Sequence, residues 1–224
     1  MKKFISNILA SAFPQKWKEY AELSYWKSQK SQEGNFSNDH YKFFYTQHFL
    51  LDDEFYSNKK ILDIGCGPRG SLEWATMSER RVGLDPLAES YLKLGADKHQ
   101  MEYYSSPSEK IPFEDAYFDV ACAFNSLDHV SNVGESISEI KRVVKSKGLF
   151  LLLVEINHEP TNCEPHKFEA DIVERFNPEF KCLNMKVFKS VETGLYDSVK
   201  AGSEYPNPYD VTQTAWLSAK FERV

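Results

Sequence analysis

KKILDIGCGPRGSLEWA, residues 59–75, is the stretch on which the fold turns. Its apolar run closes at Ile64, and Gly65 and Gly67 then permit a sharp turn in which backbone can approach a ligand closely. Pro68 fits a helix start, with Ser71 as a second possible cap. The stretch therefore reads as a first strand, a ligand loop at its carboxyl end, and a helix over 71–78.

The same alternation continues downstream. Short runs rich in Ile, Val, Leu and Phe recur at 60–64, 81–84, 118–124 and 149–156, each followed by a turn signal and a helical stretch. Helices fit at 71–78, 87–95, 134–146 and 167–175, the third amphipathic through Ile137, Ile140, Val143 and Val144. Strands alternating with helices imply crossover connections, hence an α/β, doubly wound, mostly parallel sheet. Residues 182–191 and 213–223 differ, alternating apolar and polar positions without a helix between them, so an antiparallel C-terminal hairpin is expected at one edge. Upstream, residues 1–58 form an N-terminal helical appendage, or lid, to a domain spanning 59–224. Helices are expected there over 15–30 and 38–50, and an amphipathic first helix with Phe4, Ile8 and Phe13 near one face.

Composition excludes several classes. The 224 residues are 42% hydrophobic, 27% charged and 14% aromatic, which fits a globular protein and not a disordered or fibrous one. The longest purely apolar run, Leu149–Val154, is far short of the roughly 20 residues that span a bilayer. A net charge of −6 leaves no basic footprint for nucleic acid. Residues 1–59 carry eight lysines against seven acids, an asymmetry too small to signal a polyanionic partner. Cys66, Cys122, Cys163 and Cys182 are too scattered for a disulfide framework, so cytoplasmic residence is the expectation. The sequence sets no oligomeric state.

Spelling alone does not choose a ligand for the loop. Gly65, Gly67 and Gly70 satisfy G-x-G-x-x-G, and Asp85 follows the first glycine at dinucleotide-like spacing, which keeps an NAD-dependent oxidoreductase open. Charge discriminates. Asp63 stands two residues before Gly65, where a nicotinamide dinucleotide would put a pyrophosphate and S-adenosyl-L-methionine would put an ammonium and a sulfonium. A charge pair at about 4 Å is worth on the order of 4 kcal/mol at an effective dielectric of 20, repulsive for the first ligand and attractive for the second. Asp85, ending the next strand, suits two ribose hydroxyls, and Pro86 and Leu87 offer an apolar surface to an adenine face.

Taken in order, ILDIGCGPRG, VGLDPLAES, SEKIPF, YFDVACAFNSLDHV and SEIKRVVKSKGLFLLL resemble the class I S-adenosylmethionine-dependent methyltransferase family over residues 59–156. The resemblance implies a seven-stranded sheet whose last two strands are the C-terminal hairpin. It also implies a cofactor site of Asp63, Gly65, Cys66 and Gly67 around the methionine portion, with Asp85, Pro86 and Leu87 on the ribose and adenine. Ser108 and Glu109 would lie near the adenine edge, and Asn125 and Leu127 would follow the fourth strand. Two positions depart from the common pattern: Arg69 precedes a late third glycine, and Pro107 stands where many members carry an acid.

Methyl transfer requires acceptor and methyl to be held in near-attack geometry, plus a base where the acceptor must lose a proton. Three regions are free to shape an acceptor site: the aromatic appendage, the segment 155–168 and the turn 192–212. His129, His158 and His166 are the candidate catalytic bases. A His/Cys/His metal site lacks paired spacing, so no metal ligand is assigned. The expected function is methylation of a small-molecule acceptor at oxygen or nitrogen, with a non-catalytic S-adenosylmethionine-binding protein as the alternative outside enzymes.

Overall fold

The computed structural model describes residues 14–224; the expected helix through Phe4, Ile8 and Phe13 lies outside them. Seven strands form one sheet: β1 (Lys60–Ile64), β2 (Arg80–Leu84), β3 (Glu102–Tyr104), β4 (Phe118–Phe124), β5 (Val144–Ile156), β6 (Phe180–Lys189) and β7 (Ala215–Arg223), in the order β3-β2-β1-β4-β5-β7-β6. Strands β1 to β5 pair in parallel, whereas β7 runs antiparallel to both β5 and β6. The central strands β4 and β5 are mostly apolar because both of their faces are covered. With a side-chain period of two, Leu62, Ala121 and Leu152 pack on one face while Ile61, Val120 and Leu151 pack on the other.

The second face is covered by the N-terminal segments. Helix α1 (Pro14–Glu33) and the short α2 (Tyr41–Tyr45) precede β1, and Phe44, Tyr45 and Tyr56 are fully buried against that face. The expected helix over 38–50 is split. Thr46 leaves helical geometry, its Oγ1 donating to the Lys42 carbonyl at 2.6 Å, and the following 3-10 turn ends at Leu50 in left-handed conformation.

Three further expectations are corrected. No helix forms over 71–78, and Pro68 starts none; the segment is a series of turns. Its anchoring side chains, Leu72, Trp74, Ala75 and Met77, do not share one helical stripe, and Trp74 instead packs edge-on to Tyr56 at 5.0 Å. The helix expected over 167–175 is a 3-10 stretch, Ala170–Phe176. Between the hairpin strands lies a helix the alternation did not reveal, Leu195–Ala201, opened by Gly194 and closed by Gly202 in left-handed conformation. In chain order the remaining helices are thus α3 (Ala88–Leu92), α4 (Val133–Val143) and α5 (Leu195–Ala201). No helix among the described residues is long and apolar enough to cross a membrane.

Candidate functional site

The carboxyl ends of β1, β2 and β4 converge on the glycine loop. Gly65 and Gly67 both adopt φ in the left-handed region, at 72° and 59°. A Cβ on Gly65 would stand 2.3 Å from Ser126 Cβ, so the turn after β1 nests against the turn after β4 only because this side chain is missing. Ser126 Oγ closes the junction by donating to the Ile64 carbonyl at 2.7 Å.

Two buried carboxylates flank this turn. Asp85 accepts the Leu87 amide at 2.8 Å and the Gly67 amide at 3.4 Å. Burial, with Glu22 of α1 nearby, pushes its carboxyl up to about 7. Asp63, raised by burial to about 6, accepts hydrogen bonds from Ser71 and Tyr45. Neither carboxylate is ion-paired among the described residues, and each keeps acceptor capacity beyond the donors it has.

The two acids face different cavities. The smaller is lined by Gly65, Asp85, Pro86, Leu87, Ser108, Glu109 and Asn125. The larger, about 740 Å³, is lined by Asp63, Cys66 and Gly67 together with the rings of Tyr25, Trp26, Tyr41, Tyr45, Phe124, Tyr196 and Trp216. Glu22, Gly65, Asn125 and His129 belong to both linings, so the cavities share a wall. Leu127 reaches neither; it is 1% exposed in the core beneath the β4 turn. Glu109 Oε1 is engaged by the Ser131 and Asn132 amides, and Ser108 Oγ lies 2.8 Å from Ser136 Oγ.

The three candidate histidines separate clearly. His129 stands on the shared wall. His158 is buried behind it beside Asp128, and the Nε2 of His166 is 2.8 Å from the Val130 carbonyl; neither lines a cavity. From the segment 155–168 it is Cys163 and Glu164 that reach the larger cavity, and from the turn 192–212 it is Gly194, Leu195 and Tyr196.

Helix α1 contributes what sequence reasoning missed. Gln15, Lys18, Glu19 and Glu22 line the smaller cavity at i, i+3, i+4 and i+7, a polar stripe turned inward. That spacing was the available signal. Arg69, the departure in the glycine loop, ties the loop to this helix through two hydrogen bonds to Glu33 at 2.7 and 2.5 Å, its guanidinium 5.5 Å from the Trp26 ring centre.

Comparison with known proteins agrees with this layout. Residues 62–152 match the family model described as a methyltransferase domain. Residues 62–152 thus read as a methyltransferase domain. It is 32% identical over 125 residues to a sterol 4-C-methyltransferase of Caenorhabditis elegans, covering 51% of this chain and 37% of that protein. It is 34% identical over 110 residues to a ubiquinone/menaquinone biosynthesis C-methyltransferase of Pseudomonas entomophila, covering 43% and 42%. The chain thus spans about two-fifths of the curated relatives it matches. Among solved structures, an S-adenosylmethionine-dependent methyltransferase from Mesorhizobium loti superposes with a TM-score of 0.58 at 14% identity, covering 75% of this chain and 92% of that one. A geranyl diphosphate C-methyltransferase from Streptomyces coelicolor, solved with S-adenosyl-L-homocysteine, gives 0.54 at 15% identity, covering 77% and 78%. These likenesses show that the methyltransferase domain's fold extends well beyond residues 62–152.

Proposed function

We propose that the chain is an S-adenosylmethionine-dependent methyltransferase acting on a small molecule held in the larger cavity. The observation that carries this reading is the pair Asp63 and Asp85, buried, free of ion pairs and set either side of the Gly65–Gly67 turn. A nicotinamide dinucleotide would bring a pyrophosphate against Asp63, whereas Asp85 suits a ribose in either ligand. A cationic methionine portion meets attraction at Asp63, and ribose hydroxyls find unused acceptor sites on Asp85.

The cofactor supplies a methyl group on a cationic sulfur. The chain's own residues do the rest. Asp63 and Asp85 fix the two polar ends, Leu87 and Pro86 offer apolar contact, and α1, within the appendage 1–58, acts as the lid over the domain 59–224. The ring-lined cavity excludes water and orients an apolar acceptor. His129, alone of the three histidines on the shared wall, is placed to take the proton of an oxygen or nitrogen acceptor. A carbon acceptor is the second reading, favoured by the sterol and quinone C-methyltransferases among the relatives. The acidic balance supports a small acceptor over nucleic acid, and the four scattered cysteines support a cytoplasmic setting.

Calorimetric titration with S-adenosylmethionine and with NAD tests the cofactor: binding of NAD alone overturns the reading. Release of S-adenosylhomocysteine across pools of sterols, quinones, phenols and small amines tests turnover, and binding without release in any pool would make the chain a cofactor-binding protein. Identifying the methylated atom in the product by NMR separates oxygen and nitrogen from carbon.

A further inference from the structure

Next to the shared wall, a group of buried polar atoms has no partner that methyl transfer would explain. Asp128, in the turn after β4, is fully buried, yet neither of its carboxylate oxygens accepts a hydrogen bond from another described residue. The Nε2 atoms of His129 and His158 are likewise buried and unpartnered. Buried polar groups are nearly always satisfied, so four orphaned atoms on three neighbouring side chains call for an explanation. His158 Nδ1 lies 3.1 Å from the Glu159 carbonyl and so carries the proton, which leaves a lone pair on Nε2 facing Asp128 Oδ2 at 3.9 Å. His129 Nε2 is 3.6 Å from Glu164 Oε1.

These separations are too long for hydrogen bonds and suit something larger than a proton. Two ligands held at about 2.0–2.2 Å from one ion stand roughly 3–4 Å apart. One donor atom each from Asp128, His129 and Glu164 lies within 4.8 Å of the others, so shifts of less than about 1 Å in two partly exposed side chains bring all three onto one centre. The ammonium of Lys18 is close but is spent on the His129 carbonyl. Burial, moderated by His129 and His158, raises the Asp128 carboxyl.

We propose that Asp128, His129 and Glu164 bind one divalent transition-metal ion, zinc or manganese, at the wall of the larger cavity, with His158 facing the same carboxylate. Mixed imidazole and carboxylate ligands suit such ions better than magnesium or calcium. Because His129 and Glu164 line the cavity, open coordination positions face the space assigned to the acceptor, where an acceptor oxygen would bind. The absence of paired spacing hid the site from sequence reading: its ligands sit at 128, 129 and 164, brought together across β5. The site does not depend on methyl transfer. It does compete with one role in it, since an ion on His129 Nε2 takes the lone pair that proton uptake would use.

The test uses the untagged full chain, stripped with a chelator and dialysed against zinc chloride or manganese chloride, with bound metal counted by mass spectrometry and affinity read by calorimetry. One ion per chain is expected, together with a rise in melting temperature on loading. Asp128→Asn and Glu164→Gln should each weaken binding at least tenfold without loss of circular-dichroism signal. Should Asp128→Asn fail to fold, Glu164→Gln decides alone, because that side chain is partly exposed and supports no core. Failure of the chain to bind either metal, or stoichiometric binding that Glu164→Gln leaves unchanged, overturns the proposal. Neither result bears on S-adenosylmethionine binding, which the titration above reads separately.

Discussion

Ionising Asp85 costs the folded chain stability, because burial favours its protonated form. An acid whose pKa rises on folding binds protons more tightly when native, so its ionisation lowers stability as pH climbs from about 4 through about 7. Asp85→Asn should therefore raise the melting temperature near pH 8, with a gain on the order of 1–3 kcal/mol, while weakening S-adenosylmethionine about 100-fold by removing two charged hydrogen bonds. A loss of affinity without the gain in stability would show that the carboxylate is not strained by burial. The same two acids set a pH dependence. The ligand prefers both carboxylates ionised, so affinity should be full above about pH 7 and fall as pH drops through 7 and then 6, first with Asp85 and then with Asp63. Calorimetry between pH 5 and 8 reads this directly. Both acids were legible in the sequence because each ends a strand beside a turn, a local pattern. Glu22 and the Arg69–Glu33 pair were not, since positions 33 and 69 meet only after α1 has folded across the glycine loop.

Among elements, the central strands and α4 could be read because burial on both faces, or on one helical stripe, writes itself into neighbouring residues. The three-residue β3 was too short to show a period, and 71–78 looked helical because Pro68 and Ser71 spell a helix start, although its apolar positions are not on one stripe and Ser71 bonds Asp63. Helix α1 was visible as a helix but not as a cavity wall, because its inward stripe is polar and resembles a solvated face. Its hold on the glycine loop rests on the partly buried, bidentate Arg69–Glu33 contact. A double-mutant cycle with Arg69→Ala and Glu33→Gln should return a coupling of about 1 kcal/mol in stability, and Arg69→Lys should not restore it, because an ammonium lacks the planar fork and the stack on Trp26. Cofactor affinity in Arg69→Ala should fall several-fold through displacement of α1, measurable by the same titration.

At the scale of the molecule, the N-terminal segment is part of the core. Phe44, Tyr45 and Tyr56 cover one face of the sheet, so Phe44→Ala should destabilise the whole chain by about 3–5 kcal/mol in denaturant unfolding, and not merely loosen an appendage. A change below about 1 kcal/mol would show that the segment docks weakly. The antiparallel end of the sheet has a different consequence. Ile156, Ala215 and Lys189 are aligned across β5, β7 and β6, so the connection 190–214 starts and ends at one edge of the sheet, and it supplies Gly194, Leu195 and Tyr196 to the larger cavity. Its anchors are the ends of two long, well-paired strands. A connection so held can gain, lose or exchange residues with little effect on the sheet beneath it. On the proposed function, substrate range is therefore a separable trait: it can drift between descendants, or be transplanted by exchanging one loop, while the strand ends carrying Asp63 and Asp85 stay unchanged.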